Sequence, residues 1–444
     1  MEKSRVLVVG GTGYIGRRIV RASLAQGHPT LVLMRPEISL DISKLQMLLS
    51  FKAQGARLVE ASLEDHAALV AAVAQADVVI SASAMSGVHL HSHNFSLQHK
   101  LVEAIKEAGN IKYWVSISDS NQSFNRPLAT PTMEKSRVLV VGGTGYIGRR
   151  IVRASLAQGH PTLVLMRPEI GLDIDKLQML ISFKAQGARL VEASLEDHAA
   201  LVAAVAQADV VISAMSGVHF RSHNLSLQHK LVEAIKEAGN IKRFVPSEFG
   251  MDPSKMGHAL EPGRVTFDEK MDLRRAIEDA NIPHTYVSAN CFAGYFCPNL
   301  CQMRTLLPPK EKVHVYGDGN VKVIFCDEDD VATYTIKSVD DPRALNKTIY
   351  LRPHENILTQ NDVIAKWEKL SGNVLEKIHI PADEFLASMK DTDFANQVGV
   401  GHYYHIFYEG CLTNFEIGED GAEATLLYPE VQYTRVDEYM KIYL

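Results

Sequence analysis

Two stretches of this 444-residue chain hold residue types that do chemistry at a telling spacing. The first is Gly142, Gly143, Thr144, Gly145, Tyr146, Ile147 and Gly148, a GxxGxxG arrangement between a β-branched run and a helical pattern. Glycines there permit a tight turn and let backbone N–H groups approach a pyrophosphate, and the start of the following helix adds partial positive charge. A glycine-rich turn by itself is a weak signal. Its place directly after a strand and before a helix makes it a dinucleotide cradle. The second is Lys270, within Thr266-Phe-Asp-Glu-Lys-Met-Asp-Leu-Arg-Arg275. That run predicts a helix, with Phe267, Met271 and Arg274 or Arg275 one turn apart on overlapping faces. A lysine turned inward loses part of its affinity for a proton, which leaves an amine able to act as a base near neutrality. On periodicity alone, a solvated surface lysine is the commoner outcome.

The choice of dinucleotide turns on the end of the second strand. Enzymes that take NAD place an acidic residue there for the ribose 2′-hydroxyl. This chain has Arg167 in Leu165-Met-Arg-Pro168, with Lys176 on the following helix. A guanidinium makes paired, charge-assisted bonds to a 2′-phosphate, so NADPH is the expected cofactor. Solvated surface charges are the alternative for both residues. No metal site is expected: the cysteines at 291, 297, 301, 326 and 411 show neither CxxC nor CxxH spacing and read as reduced packing thiols.

These residues need a scaffold, and the chain repeats part of one. Met1 to Gly16 recurs letter for letter as Met133 to Gly148, and the match runs on to about Lys112 and Lys242 with few exchanges. The first copy carries two extra residues within Ser81-Ala-Ser-Ala-Met85, where the second reads Ser213-Ala-Met215. A period of roughly 130 residues is too long for a solenoid and marks a duplicated domain fragment. In the second copy, Arg137–Val141, Thr162–Met166, Leu190–Val191, Val210–Ser213 and Phe244–Val245 read as strands separated by helices. Such alternation predicts an α/β fold with a doubly wound parallel sheet and ligands at the strand C-termini. The expected division is a truncated duplicate over 1–118, a Ser, Asn and Pro-rich linker over 119–132, a dinucleotide-binding domain over 133–290 and a mainly substrate-binding region over 291–444. The first copy keeps Gly10 to Gly16, Arg35 and Lys44 but has no counterpart of Lys270, so it is expected to be non-catalytic. An apolar fraction of 46% is ordinary for a globular protein, and the net charge of −6 argues against nucleic-acid or anionic-membrane partners. With no signal-peptide pattern and no membrane-length apolar run, a cytoplasmic protein is expected.

The Tyr-x-x-x-Lys pair of short-chain dehydrogenases is absent from residues 133–444. Longer motifs identify a different relationship. Lys242-Arg-Phe-Val-Pro-Ser-Glu-Phe-Gly-Met-Asp252, His258-Ala-Leu-Glu-Pro-Gly263, Tyr286-Val-Ser-Ala-Asn-Cys-Phe-Ala-Gly-Tyr295 and Val315-Tyr-Gly-Asp-Gly-Asn320 stand in order along the chain. Leu345-Asn-Lys-Thr-Ile-Tyr350 and Leu427-Tyr-Pro-Glu-Val-Gln-Tyr433 follow. Essentially all of Met133 to Leu444 resembles the plant pinoresinol–lariciresinol, isoflavone and phenylcoumaran benzylic ether reductases, NmrA-like atypical members of the short-chain dehydrogenase superfamily. The Leu-Glu-Pro-Gly segment and Phe415-Glu-Ile-Gly418 look most like the pinoresinol reductases. The resemblance implies that Lys270 is the catalytic base, that NADPH is the cofactor, that the substrate is a lignan or related phenylpropanoid, and that the protein is a homodimer. Phe292 and Tyr295, with Phe296 and residues near His402 to Phe407, are the candidate walls of a pocket for a flat diaryl substrate, although core packing explains such aromatics equally well. His402 is also weighed as a helper in proton transfer to the opened ether oxygen. Two other readings stay open: the same chemistry on an isoflavone or phenylcoumaran, and a non-catalytic NADP(H)-sensing protein.

Overall fold

In the computed structural model the chain divides into two compact units, residues 1–125 with 304–307 and 443 in the first and residues 126–303 with 308–442 and 444 in the second. The structure describes residues 3–13, 15–35, 41–82, 93–116, 135–168, 170, 173–215, 227–390 and 392–444. The linker expected at 119–132 and the inserted residues at Ser83 to Met85 lie outside them.

The first unit alternates β1 (Val6–Val9), α1 (Gly16–Ala25), β2 (Thr30–Met34), α2 (Ile42–Ala53), β3 (Arg57–Glu60), α3 (His66–Val73), β4 (Val78–Ser81), α4 (His93–Ala108) and β5 (Tyr113–Ser116). Its strands form one parallel sheet in the order β3-β2-β1-β4-β5. The second unit opens the same way, with β6 (Val138–Val141), α5 (Gly148–Ala157), β7 (Thr162–Met166), α6 (Ile174–Ala185), β8 (Arg189–Glu192), α7 (His198–Val205), β9 (Val210–Ser213), α8 (Gln228–Ala238) and β10 (Arg243–Val245). These strands also run parallel, in the order β10-β9-β6-β7-β8. The pattern follows from the sequence. β6 is apolar throughout and β9 is apolar up to its closing Ser213; both are fully buried because helices cover both faces of the sheet. Aspartates start the helices: Asp173 accepts the backbone N–H of Lys176, and Asp197 that of Ala200.

Thr162–Met166 and Val210–Ser213 coincide with the predicted strands, while β8 and β10 extend beyond theirs. Arg189 and Glu192 sit in the ladder opposite Leu163 and Met166, positions that an apolar pattern does not mark. Arg243 is buried because its guanidinium donates to the carbonyls of Ser338 and Asp341.

The rest of the second unit includes α9 (Val265–Asp279), β11 (Thr285–Ser288), β12 (Cys291–Phe292), α10 (Ala293–Phe296), β13 (Lys312–Tyr316), β14 (Lys322–Cys326), α11 (Glu328–Ser338), β15 (Lys347–Tyr350), β16 (Ile357–Thr359), α12 (Gln360–Ser371), β17 (Glu376–Ile380), α13 (Ala382–Ala387), α14 (Phe394–Phe407), β18 (Gly421–Glu423), α15 (Ala424–Leu427) and α16 (Val436–Met440). A parallel bridge from Phe244 to His284 leads from β10 toward β11, which belongs to the sheet β11-β15-β18. In the first unit β5 ends its sheet. The helix that matters most for the site is α9. Leu273 and Ile277 pack into the same apolar core as Leu139, Val211 and Leu231, and this fixes its rotation. Phe267, Lys270 and Arg274 then share one inward stripe at helical spacing.

Candidate active site

The glycine loop sits at the C-terminal edge of the sheet, where strand order reverses between β6 and β9. Gly142 has φ 78°, and a Cβ there would lie 2.7 Å from the Ala214 carbonyl oxygen. At Gly148 a Cβ would lie 2.1 Å from the Gly142 carbonyl oxygen. The turn therefore closes on backbone, with room for no side chain. The N-cap residue of α5, Ile147, offers no side-chain acceptor to the first turn. That combination fits a pyrophosphate. Thr144 and Gly145 complete the turn, and Gly145 donates its N–H to the Gly142 carbonyl at 2.9 Å. Tyr146 and Ile147 face the neighbouring cavity.

Arg167 is exposed immediately after β7, at the same edge as the loop. Lys176 is differently placed. Its amine pairs with Asp173 at 2.7 Å, and both side chains stay well exposed to solvent.

A cavity of about 360 Å³ opens beside the loop and gathers the remaining candidates. Tyr146 and Ile147 form one side, Lys270 with Thr266 and Phe267 another, and Phe292, Tyr295, Phe296, His402 and Tyr403 the aromatic walls. Lys270 Nζ donates to the Glu248 carbonyl oxygen at 2.9 Å. Burial is the largest influence on this amine and holds its pKa below that of an ordinary lysine; nearby Arg274 pushes the same way, while the carboxylates of Glu248 and Asp252 oppose. The residue keeps intermediate exposure because it lines the cavity.

Behind Lys270 lies a buried charge network. Arg274, one turn further along α9, donates through Nε to Glu248 at 2.8 Å and through a terminal nitrogen at 2.6 Å, and reaches Asp252 at 3.0 Å. Tyr350 donates to Asp252 at 2.5 Å, and the Arg274 guanidinium lies 4.1 Å from the Tyr286 ring centroid. Phe249, directly after Glu248, has φ 31°, a conformation that side chains disfavour. The ion pairs thus pin the turn whose carbonyl receives the lysine. Replacing Arg274 by methionine strands two buried carboxylates, and the expected loss is about 3–5 kcal/mol of unfolding free energy. Urea denaturation followed by circular dichroism checks this, and a loss under about 1 kcal/mol would contradict the role given to the network.

His402 is hemmed by Gly263, Thr266 and Phe267. Its Nε2 lies 3.3 Å from the Gly263 carbonyl and 3.3 Å from the Thr266 hydroxyl, and its ring is 5.0 Å from that of Phe267. Burial lowers its pKa to about 4, so at neutral pH it is a neutral hydrogen-bonding group and not a cationic acid. Three residues with metal-ligating capacity, His258, His405 and Glu409, also cluster nearby. The Leu260 N–H donates to His405 Nε2 at 2.9 Å, which leaves Nδ1 protonated and donating to Glu409 at 2.6 Å. The atom that would face a metal already carries a hydrogen, so the cluster reads as a hydrogen-bonded brace for the Leu260 to Gly263 segment.

Glu248, Asp252, Arg274 and Glu328 are missed by sequence reasoning. Glu248 and Asp252 lie inside a quoted motif, and Arg274 stands four residues after Lys270, so spacing offered a partial signal. The aromatic walls are real contacts: Tyr146 and Tyr295 are 5.4 Å apart between ring centroids, and Phe296 and Tyr403 5.4 Å. The five cysteines are free and buried. No helix among the described residues is long and apolar enough to cross a membrane.

A dinucleotide loop at the switch point of a doubly wound sheet, beside a cavity lined by a depressed lysine, defines a reductase-type nucleotide-binding protein, and the chain belongs to the NmrA-like family, whose model matches residues 2–123 and 134–440. An isoflavone reductase homolog of Lupinus albus is 72% identical over 312 residues, 70% of this chain and 100% of that protein. The bifunctional pinoresinol-lariciresinol reductase of Linum perenne is 67% identical over 314 residues, again 70% and 100%. Among solved structures, AtPrR2 with NADP+ and (+)-pinoresinol is 62% identical with a TM-score of 0.69, covering 70% of this chain and 100% of that one. The binary complex of leucoanthocyanidin reductase and NADPH from Vitis vinifera is 35% identical with a TM-score of 0.63, over 69% and 99%.

Proposed function

We propose that this protein is an NADPH-dependent oxidoreductase that opens lignan benzylic ethers, reducing pinoresinol to lariciresinol and, by the same step on the second ether, to secoisolariciresinol. The observation that carries the reading is the Lys270 amine, depressed by burial, on the wall of an aromatic cavity that also includes Tyr146 and Ile147 of the glycine loop. In this reading residues 142–148 hold the pyrophosphate, and Arg167 and Lys176 face the 2′-phosphate. Neutral Lys270 takes the phenol proton of the substrate. The released electron pair pushes through the ring and breaks the para benzylic C–O bond, which leaves a quinone methide and an alkoxide. The lysine ammonium returns its proton to that alkoxide. NADPH supplies the hydride that the benzylic carbon accepts, restoring the aromatic ring as a phenolate that takes a proton from water. Phe292 and Tyr295 flank the substrate rings, and His402 offers a hydrogen bond as a neutral imidazole.

The domain boundaries belong to this reading: 133–290 binds the dinucleotide, 291–444 chiefly the substrate, and 1–118 is a duplicate without the catalytic lysine, joined by 119–132. A homodimer is proposed on family resemblance, and a cytoplasmic location on the five buried free thiols.

The test is to follow NADPH oxidation at 340 nm with pinoresinol, an isoflavone and a phenylcoumaran offered separately. Turnover is expected with pinoresinol, at a kcat/KM at least about tenfold above either alternative, a difference of roughly 1.4 kcal/mol in transition-state binding. Preference for one of the others moves the substrate assignment, and NADPH binding with no turnover would favour a sensor.

A further inference from the structure

Glu328 opens α11 and is 1% exposed. One of its carboxylate oxygens, Oε1, receives two donors: the Tyr146 hydroxyl at 2.7 Å and the backbone N–H of Gly294 at 3.0 Å. Tyr146 belongs to the glycine loop, while Gly294 lies in α10, between Phe292 and Tyr295 of the substrate wall. The Tyr146 ring packs against both of those residues, at centroid separations of 6.2 and 5.4 Å, and the Arg150 guanidinium lies 4.4 Å from its centroid. A single buried atom thus joins the two walls of the cavity. Burial raises the Glu328 carboxyl to about 7. Oε1 can accept in either protonation state if the proton rests on the other oxygen.

We propose that Glu328 is a positioning residue that couples the glycine loop to the substrate wall, so that dinucleotide binding steadies Tyr146 and, through the shared acceptor, the N-terminal turn of α10. This rests on the reading above, which assigns the dinucleotide to one wall and the lignan to the other. Coupling of this kind is reciprocal: whatever dinucleotide occupancy does for substrate affinity, substrate does equally for the dinucleotide.

The test uses the full chain and two readouts. Amide hydrogen exchange is followed in peptides spanning residues 291–299, with and without saturating NADP+. Exchange at Gly294 is expected to slow several-fold on NADP+ binding in the wild type and in Glu328→Gln, which keeps the acceptor oxygen. The slowing is expected to vanish in Glu328→Leu and in Tyr146→Phe, the latter removing a hydroxyl and leaving the ring in place should the leucine variant fold poorly. Pinoresinol affinity, measured by calorimetry, is expected to rise at least about fivefold with NADP+ in the wild type and by less than twofold in Tyr146→Phe. Exchange at Gly294 that ignores NADP+ in the wild type, or still responds in Tyr146→Phe, overturns the coupling. An exchange response without any pinoresinol binding leaves the coupling standing and removes the substrate assignment instead.

Discussion

Lys270→Ala is expected to lower kcat by about 10²–10⁴, the usual contribution of a positioned general base, while the Kd for NADPH stays within about threefold. The two effects separate because the amine touches the cavity and the Glu248 carbonyl, whereas the pyrophosphate cradle is backbone at residues 142–148. Lys270→Arg is expected to be as inactive as the alanine variant, because a guanidinium keeps its proton at any working pH. The wild-type pH profile should show an acid limb, with kcat falling as pH drops and the amine is protonated. Its midpoint lies below the ordinary lysine value of about 10.4, in the direction set by burial. The same shift has a stability consequence. Between the folded and unfolded pKa values the unfolded chain binds more protons, so lowering the pH through that window favours unfolding. Lys270→Met removes this cost, and its Tm at neutral pH should equal or exceed the wild type's. Stopped-flow turnover, cofactor titration and calorimetry check the set. Turnover in Lys270→Ala within about tenfold of wild type would remove the lysine from the chemistry.

The second large effect comes from matched substitutions in the two copies. Alanine at Gly145 and Gly148 places Cβ atoms 3.1 and 2.1 Å from the Gly142 carbonyl oxygen; alanine at Gly13 and Gly16 places them 3.3 and 2.0 Å from that of Gly10. The contacts are with backbone, so no side-chain rotation relieves them. The steric insult is nearly equal, and so is the expected strain, about 1–3 kcal/mol in each unit. Function should divide sharply. The Gly145/Gly148 pair is expected to weaken NADPH binding by at least about 100-fold and abolish turnover, because the turn must open to admit the Cβ atoms and its N–H groups then leave the positions the pyrophosphate needs. The Gly13/Gly16 pair should leave kcat and KM within about twofold. Equal losses from both pairs would mean that the first copy takes part in catalysis.

Much of the scaffold was legible because it is written in local patterns. The apolar runs Thr162–Met166 and Val210–Ser213 are strands as expected, and α9 covers the helix predicted around Lys270. The glycine loop was legible for the same reason: the demand for φ 78° at Gly142 falls on one residue. Less was legible where strand ends carry charge, as at Arg189 and Glu192, since pairing in the ladder leaves no mark on hydropathy. The ion pair of Lys176 with its own N-cap Asp173 was likewise not legible in hydropathy, because both side chains stay well exposed.

The residue types, the cradle and the strand–helix order were determined by the sequence itself, because neighbours along a chain set backbone angles and periodicity. The direction of Lys270 was decided by Leu273 and Ile277 locking α9 onto the sheet. Its lowered basicity was decided by burial, with Arg274 adding to it against the pull of Glu248 and Asp252, and the joining of the loop to the opposite cavity wall by Glu328, Tyr146 and Gly294. Burial and electrostatic environment depend on which distant segments exclude water together, a property that exists only once the chain has folded.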